Sequence, residues 1–176
     1  MRSYDDIILG RIDEAEMCLE NEWFIAALTL ALTLPDICGK AEYPDETVTA
    51  RYIQWFNTYV KQYDKPKSKL SEDMPYLSGE VVYNLRNNFL HAGNPNIEKE
   101  KVKEEVCQID RFHLNTKTSL LDDTSIVAYT KELVVKKREY SVNLWLLCKR
   151  LCKAAKEYYL YNREKFDFLN YDMGKE

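Results

Sequence analysis

Two side chains near the middle of the chain have types and spacing that could do chemistry: Arg86 and His91, in the run Leu85-Arg86-Asn87-Asn88-Phe89-Leu90-His91. Arginine carries a permanent charge on a planar fork that matches two oxygens of a phosphate. Histidine exchanges a proton near neutral pH. Together they suit phosphodiester chemistry. The guanidinium can stabilise the charge on the phosphate oxygens as phosphorus becomes pentavalent. The imidazole can take or give the proton of a 2′-hydroxyl or of a 5′ leaving oxygen. Asn87 stands beside the arginine and can orient one of these groups. The scheme requires no metal and no cofactor.

A helix must position these groups. Ser78 is a good amino-terminal cap, Gly93 a good carboxyl-terminal stop, and Pro95 follows just beyond. At 3.6 residues per turn, Val82, Leu85 and Phe89 share an apolar arc, and Arg86 points out of it. An unpaired buried guanidinium is costly, so Arg86 must meet a carboxylate, a carbonyl array, a partner subunit or an anionic ligand. Glu80, Asn84, Asn87 and His91 recur every three or four residues as one polar stripe. Glu80 and Asn84 of this stripe, together with Asn88 beside Asn87, are candidates to bind substrate or to support the pair. The stripe ends at His91, in the last turn, where the helix dipole favours a cation. The competing reading is structural: Arg86 closes a salt bridge to Glu80 or to an acid of the first helix, and His91 bonds the last carbonyls.

Arg86-Asn87-Asn88-Phe89-Leu90-His91 resembles the R-x(4–6)-H motif of HEPN domains, in which the residue after the arginine is usually Asn, Asp or His. Asn87 matches that preference, and the motif falls late in a helix with long helices before and after it. The resemblance implies an antiparallel helical bundle of about five helices. It also implies a metal-independent endoribonuclease of the kind that serves toxin–antitoxin, phage-defence or RNA-processing systems. RNA would be the substrate, and an antitoxin protein a possible partner. The resemblance further implies a homodimer in which two copies of the helix carrying Arg86 and His91 meet and build one cleft. The alternative is a non-catalytic HEPN-like module that binds a nucleotide or a partner protein through the same helix.

Composition narrows the setting. The net charge of −4 excludes a broad basic surface that grips nucleic acid through many phosphates, though a small cationic pocket remains open. Lysine-rich spots at Lys65, Lys67 and Lys69, at Lys136, Lys137 and Arg138, and at Lys149, Arg150 and Lys153 read as solvated faces. The five cysteines include no C-x-x-C pair. They read as small hydrophobes in a reducing compartment, not as a disulfide framework or metal set. No secretory signal opens the chain, and the apolar run 23–35 is shorter than a membrane span, so a cytoplasmic protein without membrane contact is expected. No P-loop, dinucleotide fingerprint or nucleophile elbow is present. His113, the other histidine, reads as a strand-surface residue.

Around the motif, the chain of 176 residues reads as one mainly helical domain. A first amphipathic helix spans Tyr4 to Leu19. A second, capped by Asn21 with Glu22 in its first turn, is apolar from Trp23 to Leu34 and is ended or kinked by Pro35. The third starts at Asp45 or Thr47 and carries an aromatic stripe of Tyr52, Trp55, Phe56 and Tyr59, expected in the core. A polar loop, 64–76, precedes the fourth. Two or three short strands within 106–140 read as a small β-meander, and Ser141 is expected to open the last long helix.

Overall fold

A computed structural model describes residues 7–63, 65, 72–116 and 122–169 of the chain. Among them it is mainly helical, with α1 (Ile7–Glu20), α2 (Phe24–Glu42), α3 (Val48–Tyr59), α4 (Gly79–Ala92) and α5 (Leu144–Tyr161). A three-stranded sheet of β1 (Arg111–Asn115), β2 (Thr124–Tyr129) and β3 (Val135–Asn143) lies between α4 and α5 in sequence. Most of the polar loop 64–76 lies outside the described residues.

The central element is α2, which packs against α1, α3, α4 and α5. Ala27, Leu28, Ala31, Leu32, Leu34 and Cys38 are wholly buried along it, as its nearly continuous apolarity requires. Its start differs from expectation. Asn21 and Glu22 finish α1 instead of opening α2: Asn21 Nδ2 donates to the Met17 carbonyl, and Glu22 takes a left-handed φ of 58°. The Trp23 amide then bonds Cys18 O at 2.8 Å, satisfying carbonyls that the end of α1 would otherwise leave bare. Trp23 itself stands at the α2 N-cap without a side-chain capping bond, and Trp23 and Ile25 are exposed.

Pro35 does not end α2, which runs on to Glu42. A proline cannot bond the carbonyl four residues back and crowds that turn. Here the neighbouring turn is tied from outside: the buried Tyr52 hydroxyl donates to Leu32 O at 3.2 Å, and Arg11 Nη1 donates to Thr33 Oγ1 at 3.1 Å. Continued past the proline, α2 is 19 residues long and, by length and composition, apolar enough to cross a membrane. Half of that stretch is buried inside the fold, so packing among helices gives its apolarity a use.

The third and fourth helices form as their caps dictate. Thr47 Oγ1 accepts from the Ala50 amide, and Ser78 Oγ from the Val81 amide. Of the aromatic stripe, Tyr52, Trp55 and Phe56 are buried, while Tyr59 is half-buried and its hydroxyl donates to Glu42 Oε1 at 3.1 Å. At Gly93, φ is 63°, and the Gly93 and Asn94 amides reach Phe89 O and Asn88 O, which stops α4 sharply.

Three strands form in the expected region, but they are not a meander. The order is β1-β3-β2, with β3 parallel to β1 and antiparallel to β2. β3 takes the centre because it is the longest strand, with nine residues, and it alone carries fully buried positions, Tyr140, Val142 and Asn143. It also continues past Ser141, so α5 starts at Leu144 with Asn143 as cap, its Oδ1 accepting from the Leu146 amide at 3.0 Å.

Candidate functional site

α4 is held on its inner face by Val81, Val82 and Leu85, all buried, and by Tyr83, whose ring lies 5.2 Å from that of Tyr52 on α3. This anchoring aims Arg86 across the fold at α2. Arg86 Nε donates to Asp36 Oδ2 at 3.0 Å, and Nη2 stands 2.9 Å from the same oxygen. Nη1 donates to Asn87 Oδ1 at 2.9 Å and faces His91 Nε2 at 3.5 Å. Arginine only donates, so in any hydrogen bond between the two Nε2 is the acceptor. Arg86, Asn87 and His91 are thus brought together, with Asn87 half-buried and His91 exposed.

The arginine therefore has an internal acid, though neither Glu80 nor one from the first helix: it is Asp36, directly after Pro35. Both side chains of the pair are mostly buried, with 20% and 17% exposed. The guanidinium's five hydrogens make four contacts, to Asp36 twice, Asn87 and His91, leaving one hydrogen on Nη2. Burial pushes the Asp36 carboxyl above its ordinary range, and the Arg86 charge and hydrogen bond, followed by the Arg51 charge, only partly offset that. Its other oxygen, Oδ1, is buried and accepts no hydrogen bond among the described residues. One signal for Asp36 was available in the sequence: it is the single charged residue between Trp23 and Gly39, and a lone acid in an apolar helix must find a cation.

The polar stripe on α4 divides. Glu80 Oε2 accepts from the Lys103 amide at 2.8 Å and from the Glu104 amide at 3.4 Å. Asn84 is buried, with Oδ1 accepting from the Glu98 amide at 3.0 Å and Nδ2 donating to Glu98 O at 3.3 Å. Asn88 Nδ2 donates to Asn84 Oδ1 at 3.0 Å and to Asn96 O at 2.7 Å. These three supply the missing partners of an irregular segment, 94–104, and their polar atoms are directed at that segment's backbone. The structure does not join them to the Arg86 cluster.

Most of the surface cations noted in the sequence are also engaged. Lys65 pairs with Glu104, Lys137 with Glu139, Lys149 with Glu16 and Arg150 with Asp123. Arg138 Nε donates to Asp73 O at 3.3 Å, while Lys67 and Lys69 lie outside the described residues. His113 is exposed on β1, opposite Ser141. All five cysteines are free and buried. Burial pushes the Cys148 and Cys152 thiols up, which keeps them neutral and fits small hydrophobes.

Comparison with protein-family models, with curated proteins and with solved structures returns no match. The chemistry of the site is accordingly read from its own geometry.

Proposed function

We propose that the chain is a metal-independent endoribonuclease of the HEPN type, with its five helices as that family's antiparallel bundle. What supports the reading is the joining of Arg86, Asn87 and His91 on the last turns of α4, at a surface open enough for His91 to be exposed. His91 Nε2, the acceptor nitrogen, takes the proton of the 2′-hydroxyl as its oxygen attacks the adjacent phosphorus. Arg86 stabilises the phosphorane, exchanging its Nη1 contacts for phosphate oxygens while Asp36 keeps hold of the Nε edge. Asn87 then positions the guanidinium. The P–O5′ bond breaks, leaving a 2′,3′-cyclic phosphate, and the 5′ oxygen takes its proton from an imidazolium. In a dimer through α4 that donor is His91 of the partner subunit. Such an enzyme works in the cytoplasm, and an antitoxin protein would mask the same surface.

The test is direct. Purified protein should cut RNA in EDTA, leave 2′,3′-cyclic phosphate ends and spare DNA. A strict requirement for a divalent metal, or no cleavage of any RNA, would remove the proposal. A second reading, a non-catalytic module that binds a nucleotide or partner, is favoured by the ion pair itself, since Asp36 already neutralises Arg86. It predicts that the α4 variants lose assembly or ligand binding with no cleavage to lose.

A further inference from the structure

The question that an isolated cation raises passes from Arg86 to another residue, Arg51 on α3. Among the described residues, Arg51 is the one arginine whose side chain makes no hydrogen bond, ion pair or ring contact. Arg11 bonds Thr33, Arg86 pairs with Asp36, Arg111 with Glu139 and Arg150 with Asp123, Arg138 bonds Asp73 O, and Arg163 lies over Tyr159. Yet Arg51 is half-buried, and its Nε is sealed from solvent without an acceptor. Desolvating a guanidinium and giving it no partner is unfavourable unless an anion arrives to meet it.

Its place is set by α2. A Cβ on Gly39 would fall 2.8 Å from the Arg51 carbonyl oxygen and 3.4 Å from its Cγ, so the absence of a side chain at Gly39 lets the arginine stem lie against α2. Gly39 is one turn beyond Asp36, and the charge of Arg51 is felt at the Asp36 carboxyl together with that of Arg86. Two arginine charges, from α3 and α4, therefore act on a single carboxylate. The obvious internal role for Arg51, as a second counter-ion, is not taken up, because Asp36 Oδ1 accepts no hydrogen bond among the described residues. The site carries one more positive than negative charge, inside a chain of net charge −4.

We infer that Arg51 is a second anion-binding residue of the Arg86–His91 site, holding a phosphate of a single-stranded RNA backbone while Arg86 holds the reacting one. The inference rests on the nuclease reading for the identity of the ligand. It assigns Arg51 to binding, with no part in proton transfer. It also explains how an acidic protein could grip RNA: through two half-buried arginines acting together, while Lys65, Lys137 and Lys149 are spent on internal ion pairs.

A short RNA fully 2′-O-methylated, which cannot be cleaved by 2′-hydroxyl attack, is the probe. Its binding is followed by fluorescence anisotropy from about 50 to about 200 mM salt. Wild type should bind, Arg51→Gln should bind roughly tenfold more weakly, and the salt slope should fall by about 0.7, the share of one phosphate contact on a single strand. Arg51→Lys, which keeps the charge without the fork, should fall between them. Lys136→Gln, the same loss of charge at an exposed position on β3, should bind as wild type. Equal binding and equal slope for wild type and Arg51→Gln, or no binding by wild type, overturns the inference. If Arg51→Gln does not fold, Arg51→Lys decides, and unchanged affinity there counts against it. Cleavage of unmodified RNA in EDTA separates the two ideas. Cleavage with an unchanged KM in Arg51→Gln removes the inference alone. Arg51-dependent binding without any cleavage removes the nuclease reading alone.

Discussion

Helix α4 carries two sets of polar side chains that differ in what they face. Glu80, Asn84 and Asn88 turn to the segment 94–104 and bond its backbone. Arg86 turns toward α2, and Asn87 and His91 both meet its guanidinium. The first set satisfies main-chain groups that have no strand or helix to join, a task of stability. The second set holds a cation, an amide and an imidazole together at the end of a helix, beside a carboxylate that keeps one buried oxygen without a hydrogen bond. Spacing along a helix is therefore not enough to define a site: a stripe that looks continuous on the wheel is divided by what packs on either side.

On stability, the largest effect should come from breaking the link between α4 and α2. Arg86→Ala leaves Asp36 buried without its counter-ion and should cost roughly 3 kcal/mol, seen as a lower urea midpoint. Asp36→Ala added to it should restore part of the loss. An Arg86→Ala variant as stable as wild type would mean that the pair does not hold the helices together.

Next comes Asn84→Ala, which strips partners from the Glu98 amide, the Glu98 carbonyl and Asn88 at once, for about 2 kcal/mol. Gly79→Ala should cost about 1.5 kcal/mol despite the better helix propensity of alanine. A Cβ there would stand 2.7 Å from Ile53 O and 2.9 Å from Asn57 Oδ1. A stabilised Gly79→Ala would show that the amino-terminal turn of α4 yields against α3 at little cost.

The smallest effect is a pH dependence. Burial raises the Asp36 carboxyl above its ordinary 3.8, against the pull of Arg86 and Arg51, so the folded chain binds that proton more tightly than the unfolded chain. The resulting stabilisation is full below 3.8 and is lost as pH rises through the folded value. The stability difference between wild type and Asp36→Asn should accordingly shrink as pH rises from 3.8 toward neutrality. A flat difference across that range would contradict the burial of Asp36.

Much of this arrangement is legible in the residues. Ser78 and Gly93 mark both ends of α4, Thr47 marks the start of α3, and the aromatic stripe marks what α3 buries, because each is a local signal with a local cause. The misplaced boundaries share another origin. Asn21 and Ser141 are reasonable caps by type, but Asn21 serves the helix before it, and Ser141 is held in β3 by pairing with β1 and β2. Pro35 stays within a helix whose neighbouring turn is tied by a tertiary contact, the Tyr52 hydroxyl on Leu32 O, twenty residues apart in sequence. Asp36, the single charge of an apolar run, signals that it needs a cation, but which cation it meets, and the significance of Arg51, lie in which helix each faces, and no periodicity along one element reports that.

The most direct measurement compares His91→Ala with Asn84→Ala, scoring thermal stability and RNA cleavage in EDTA side by side. His91→Ala should melt with wild type yet lose cleavage by about a hundredfold or more, whereas Asn84→Ala should melt earlier and, below its transition, cleave as wild type. Cleavage that survives in His91→Ala, or that fails equally in both variants once folding is matched, would contradict the assignment of chemistry to the Arg86–His91 face.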